Sequence, residues 1–156
     1  MNELALTYFH EAYRHQMAGN LDQAVDLYRK SIAIHPTAEA HTFLGWTYSF
    51  QGLVDNAIAE CKRAIAVDPD FGNPYNDIGA YLIEQGKVDE AIPWLEKAIA
   101  ARRYDPRHFP HYNLGRAYAA QGKYFEAVRA LERALVLYPA YELARRDLGK
   151  LLARLN

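Results

Sequence analysis

The 156-residue chain carries a single cysteine, Cys61. One thiol closes no internal disulfide and builds no cysteine-cluster zinc site. Charge of one sign is not in excess either, since 18 Lys and Arg stand against 19 Asp and Glu. A near-neutral chain has no electrostatic reason to hold a phosphate backbone, which argues against general nucleic-acid binding. Long apolar runs are missing. The longest stretch without Asp, Glu, Lys or Arg, 40–54, is 15 residues long and includes His, Thr, Ser, Gln and two Gly, whereas a membrane-spanning helix needs about 20 apolar residues. Residues Met1 to Glu11 show neither a basic segment nor a long apolar core, so they do not read as a signal peptide. The expectation is a cytoplasmic protein with no membrane partner. At 51% hydrophobic and 24% charged residues, the composition is that of a folded globular chain and excludes wholesale disorder.

What the chain does have is internal periodicity. Glycines fall at Gly19, Gly52, Gly86 and Gly122, spaced 33, 34 and 36 apart. Five residues after each comes an alanine: Ala24, Ala57, Ala91 and Ala127. Seven residues before the last three comes another glycine, Gly45, Gly79 and Gly115, with Ala12 in that place in the first unit. Pro36, Pro69 and Pro139 close three of the four units. Self-similarity at this period signals a repeat architecture. Within each unit, apolar and small residues recur at three and four residues, the helical period, so each unit reads as two amphipathic helices. Glycine after Gln51, Gln85 and Gln121 ends the first helix in the left-handed conformation, and proline stops the second. The small residues suggest close helix crossings, Gly45, Gly79 and Gly115 facing Ala57, Ala91 and Ala127.

The pattern Leu44-Gly45-x-x-Tyr48, Gly52, Ala57, Ala64, Pro69 and its copy Leu114-Gly115-x-x-Tyr118, Gly122, Ala127, Ala134, Pro139 resembles the tetratricopeptide repeat (TPR) motif. The resemblance covers roughly residues 5 to 141 and implies an all-α, right-handed superhelical solenoid. It implies one domain with repeats at approximately 5–37, 38–71, 72–107 and 108–141. A segment 142–155 restarts the first-helix pattern at Leu148-Gly149 and is expected to cap the stack with a polar outer face. Three departures stand out. The first unit has Glu11-Ala12 where the others have an aliphatic residue and Gly, which suggests looser packing. Two residues are added around Arg103–Pro110, which suggests a local bend. Pro93 falls within a predicted helix, where a mild distortion is expected.

By the same resemblance the first helices line a concave groove that holds a peptide or helix of another protein. The lining positions select Phe9, Tyr13, Met17, Trp46 and Phe50 as an aromatic half, on which exposed apolar surface would mark a binding site. Thr42, Asn76, Phe109, Tyr112 and Asn113 fall between. Arg116, Arg146 and Lys150 form a basic half. The expected ligand is therefore a peptide or protein with apolar and acidic parts. Two alternatives stand beside this one: the aromatics pack only against neighbouring helices, or the aromatic or terminal-helix surface joins copies of the chain into a homo-oligomer. Chaperone-binding members of the family clamp a terminal carboxylate with Lys, Asn, Asn, Lys and Arg. Only Asn113 matches, with Asn76 and Ala80, then Leu143 and Asp147, at the other clamp positions, so Asn113 is expected to bond locally. No catalytic, cofactor or metal set emerges. The pair His108-x-x-His111 lacks the three or four convergent ligands zinc wants, and Asp22, Asp55, Asp89 and Glu90 recur where a helix N-terminus favours negative charge.

Overall fold

The computed structural model describes residues 2–156, and every described helix belongs to one all-α stack. Its order is α1 (Glu3–Met17), α2 (Leu21–Ile34), α3 (Ala38–Phe50), α4 (Val54–Val67), α5 (Asn73–Glu84), α6 (Val88–Ala100), α7 (His108–Ala120), α8 (Tyr124–Leu137) and α9 (Glu142–Leu155). Consecutive helices pair as α1–α2, α3–α4, α5–α6 and α7–α8, and α9 packs on the last pair.

The turn inside each pair repeats because its backbone demands glycine. Gly52 has φ of 79°, a left-handed conformation that costs glycine nothing. There the Gly52 amide donates to Ser49 O at 3.1 Å and the Leu53 amide to Tyr48 O at 2.9 Å, the paired closure of a Schellman motif. Gly19, Gly86 and Gly122 adopt the same conformation.

The helix crossings use the small residues, with one difference from expectation. A Cβ added to Gly45 would meet Ala57 O at 3.0 Å and Cys61 Sγ at 3.3 Å, but one on Gly79 would meet Leu95 Cδ2 at 2.4 Å and one on Gly115 would meet Leu131 Cδ2 at 2.7 Å. The glycine therefore makes room for the residue four after the repeat alanine (Cys61, Leu95 or Leu131) as well as for the alanine's own backbone at Gly45 and Gly115. Cys61 occupies the place of Leu95 and Leu131, is fully buried, and burial pushes its thiol well above the ordinary range. In the first pair Ala12 and Tyr28 are both fully buried in one core cluster, and the Tyr28 hydroxyl donates to Gln16 Oε1 at 2.7 Å. The expected looseness is absent because an aromatic ring takes up the space.

Polar rungs set the register between pairs. Gln51 Nε2 donates to Asp22 Oδ1 at 2.8 Å, Gln85 to Asp55 at 2.8 Å and Gln121 to Asp89 at 2.7 Å. The acidic residues after each glycine thus anchor the next repeat. Pro93 is the sixth residue of α6, and the helix runs through it unbroken to Ala100.

The residues added before α7 form a tether. The Arg103 amide donates to Asp70 O at 2.9 Å, and the Gly72 amide to Arg103 O at 3.0 Å. The Arg103 guanidinium reaches Glu39 at 3.3 Å and Asp68 at 2.7 Å and lies over the Phe71 ring at 4.2 Å. Tyr104 is buried against Gly72, whose missing Cβ would lie 2.5 Å from that of Tyr104.

Candidate functional site

The first helices of successive pairs lie side by side, so residues spaced by three and four on α1 and α3 form one continuous wall. Phe9 meets Phe43 edge-on with ring centroids 5.3 Å apart, and Tyr13 meets Phe43 at 5.8 Å. Phe43 continues to Trp46 at 5.9 Å, and Trp46 to Phe50 at 5.2 Å. These separations favour aromatic pairs. The ladder is graded in exposure. Tyr28 beneath it is fully buried, Phe9, Phe43 and Trp46 are half-buried, and Tyr13, Met17 and Phe50 are exposed by 41%, 51% and 56%. Packing against neighbouring helices and presenting an apolar surface are therefore both true of this cluster, at different depths. Phe43, the hub, was missed by position counting because it lies one residue beyond the expected lining positions. Its signal in the sequence is an aromatic on α3 beside Thr42, where α5 and α7 carry Asp77 and Asn113.

The middle of the expected face carries hydrogen bonds both within and between helices. Thr42, Asn76, Tyr112 and Asn113 are all buried. The Thr42 hydroxyl donates to Ala38 O at 2.7 Å within its own helix. Asn113 Nδ2 donates to Asn76 Oδ1 at 2.9 Å, and Arg116 Nη1 donates to Asn113 Oδ1 at 3.0 Å. The Tyr112 hydroxyl donates to Asp147 Oδ2 at 2.9 Å. Burial first, and then the Asp147 carboxylate, push that phenol up to about 12. Asn113 thus bonds one repeat back as well as along its own helix.

Asp77 takes the place of Asn113 on α5. Burial pushes its carboxyl up to about 7, partly offset by a hydrogen bond from Asn76. On the outer side of α3, His41 Nδ1 lies 2.8 Å from Glu60 Oε2, and Arg63 pairs with the other carboxylate oxygen at 2.5 Å. Burial pushes Glu60 up, but the His41 and Arg63 contacts outweigh it and the carboxyl sits below its ordinary range.

The carboxyl-terminal part joins a second aromatic cluster to basic side chains. His108 is buried, 4.8 Å from Tyr138 and 5.0 Å from Tyr141, and burial holds its imidazole below the usual range, against Asp105. Phe109, 38% exposed, meets Tyr141 at 5.8 Å. His111 is held low by burial and then by Arg133. Arg146 is exposed, with Nε 3.4 Å from Asp147, and Lys150 is exposed. Arg116 and Lys150 line a cavity of about 270 Å³ between α7 and α9. Among the described residues, no group of three or more His, Cys, Asp or Glu is placed to hold a metal ion, and no helix is long and apolar enough to cross a membrane.

Comparison with known proteins bears on this architecture. Tetratricopeptide repeat family models match residues 38–71 and 70–140. The type IV pilus assembly protein PilF of Pseudomonas aeruginosa is 30% identical over 134 residues, which is 83% of this chain and 53% of that protein. The solved Pseudomonas aeruginosa PilF structure superposes with a TM-score of 0.91 at 26% identity, covering 97% of this chain and 69% of that one. The crystal structure of MamA gives 0.77 at 26% identity, covering 97% and 82%. The chain spans from about a quarter to about half the length of the curated relatives it matches. Two adjoining family matches, four helix pairs closed by the same glycine turn and the inter-repeat polar rungs lead to one conclusion: the chain is a tetratricopeptide repeat protein.

Proposed function

We propose that this chain is a non-enzymatic scaffold that holds a segment of a partner protein along its concave face. The apolar part of that segment lies on Tyr13, Met17 and Phe50, and its acidic part lies near Arg116, Arg146 and Lys150. One observation carries the reading: the Phe9-to-Phe50 ladder is ordered by buried rings below and leaves a contiguous apolar rim above. A surface fixed before binding loses little entropy when a ligand docks, and aromatic and Arg residues dominate binding energy at such surfaces. The family supports the scaffold class, and the charge distribution supports the acidic end. The test selects random dodecapeptides displayed on phage and measures the selected peptides by calorimetry. The paired variant Met17→Ser/Phe50→Ser is expected to weaken them at least tenfold, and Arg146→Ser/Lys150→Ser to weaken only those carrying Asp or Glu. Selected peptides that ignore both pairs overturn the reading.

A second reading, self-association through α9, is favoured by a separate observation. A Cβ on Gly149 would meet nothing within 4 Å, unlike its three packed counterparts, and Leu152 and Phe125 nearby in the last units are 45% and 72% exposed. Light scattering over a dilution series tests it, and a monomer at high concentration removes it.

A further inference from the structure

A cavity of about 360 Å³ opens where α1, the end of α2 and the start of α3 meet, lined by Leu6, Phe9, Ser31, His35, Thr37 and Glu39 among others. Its inner polar groups are already used. The Ser31 hydroxyl donates to Ala5 O at 2.7 Å, and the Thr37 hydroxyl accepts the Ala40 amide at 3.0 Å. Leu6 is 39% exposed beside it. The rest of its lining includes the apolar Ala5, Leu6 and Phe9, together with Glu39, whose carboxylate is paired with Arg103.

The next repeat shows how the equivalent positions are bridged. Leu6 stands thirteen residues before its turn glycine, as Glu39 does, and His35 ends α2 as Asp68 ends α4. Between Glu39 and Asp68 sits the side chain of Arg103, delivered by an extended segment whose backbone bonds to Asp70 and Gly72. There the two positions carry carboxylates and pair with a guanidinium that stays half exposed. In the first repeat the same positions carry Leu6 and His35, and Phe9 supplies an aromatic wall.

We infer that the first-repeat notch takes an aliphatic or aromatic side chain from an extended segment of the partner protein, as Glu39 and Asp68 at the equivalent positions pair with Arg103. The inference rests on the groove reading and deepens it. Phe9 belongs to both the notch and the aromatic ladder, so the anchoring side chain lies at the apolar end of the ligand.

The test titrates the ¹⁵N-labelled full chain with four capped pentapeptides, Ala-Arg-Xaa-Tyr-Asp, copied from residues 101–105 with Leu, Phe, Arg or Ser at Xaa. The Leu and Phe peptides are expected to shift amides at 5–9 and 35–39 and to bind at least tenfold more tightly than the Ser peptide. The variant Leu6→Glu/His35→Asp, which copies Glu39 and Asp68 on exposed positions, is expected to reverse the preference toward the Arg peptide. Equal binding of all four peptides, shifts confined to other regions, or an unchanged preference in the variant would overturn the inference. If display-selected peptides lose affinity in Met17→Ser/Phe50→Ser but not in Leu6→Glu, the notch fails and the groove stands. If they lose affinity in neither, the groove reading fails first.

Discussion

Asn113 donates its side-chain amide to the carbonyl oxygen of Asn76 at 2.9 Å, across one full repeat. The bond is buried and occupies the stretch of wall between the aromatic and basic ends of the groove. Two positions that look like ligand-binding amides in the sequence thereby become a joint between α5 and α7. The same relation recurs one step on, where Tyr112 reaches Asp147.

Removing one partner of such a joint leaves a buried amide unsatisfied, which costs about 1–3 kcal/mol. Asn113→Ala is therefore expected to lower the unfolding free energy obtained from urea titration by about 1–3 kcal/mol. Asn76→Ala combined with Asn113→Ala is expected to cost less than the two single changes added together, because the second removal leaves no orphan. Additive losses would show that the two side chains act independently.

Glycines at one repeat position should respond in opposite ways. Gly79→Ala drives a methyl into Leu95, and overpacking of this kind costs about 1–3 kcal/mol. Gly149→Ala meets nothing within 4 Å and gains helix propensity of up to about 1 kcal/mol. Thermal unfolding followed by circular dichroism reads both signs. A stabilised Gly79→Ala would contradict the packing described for α5 and α6.

Asp77 makes stability depend on pH in a defined sense. Its folded carboxyl is pushed up to about 7, above the ordinary unfolded value of about 3.9. The folded state then binds the proton more tightly, so ionisation destabilises it. The penalty is absent below the unfolded value, grows as pH rises from there to about 7, and is complete above that. Asp77→Asn is expected to stabilise the protein by about 1–3 kcal/mol at pH 8 and to leave it nearly unchanged at pH 4. Urea titrations at the two pH values check this, and equal effects at both would refute it.

Glu60 runs the other way. Its folded carboxyl lies below the ordinary value because the His41 and Arg63 contacts outweigh burial. The stability it contributes is present above its unfolded value and is lost as pH falls through the folded one. Breaking a buried pair by removing one charge costs about 3–5 kcal/mol. Because Arg63 is exposed, the loss expected for Glu60→Leu at pH 7 lies at or below the low end of that range. The loss should shrink as pH is lowered below 4. A variant as stable as the parent at pH 7 would show that the pair contributes no net stability.

Much of the stack was legible because its signals are local. The glycine period, the alanine five residues later and the helical spacing of apolar residues act within about 34 residues, and they placed four helix pairs and the terminal helix. The aromatic ladder was legible in part. Phe9, Tyr13, Trp46 and Phe50 share a helical face, but Phe43 joins them only because α1 and α3 are offset so that its ring falls between Phe9 and Trp46.

The sequence by itself determined the repeat, its turns and the identity of the surface side chains, since backbone conformation and helical periodicity follow from near neighbours. The tertiary structure decided which of those side chains remain free. Asn76, Asn113 and Tyr112 are consumed by bonds between helices a repeat apart, and Arg103 pairs with Glu39 across 64 residues. The joints between helices and the Arg103–Glu39 ion pair depend on the relative offset of packed helices and on the path of a loop, and these are fixed by the summed packing of many contacts rather than by any single stretch of chain.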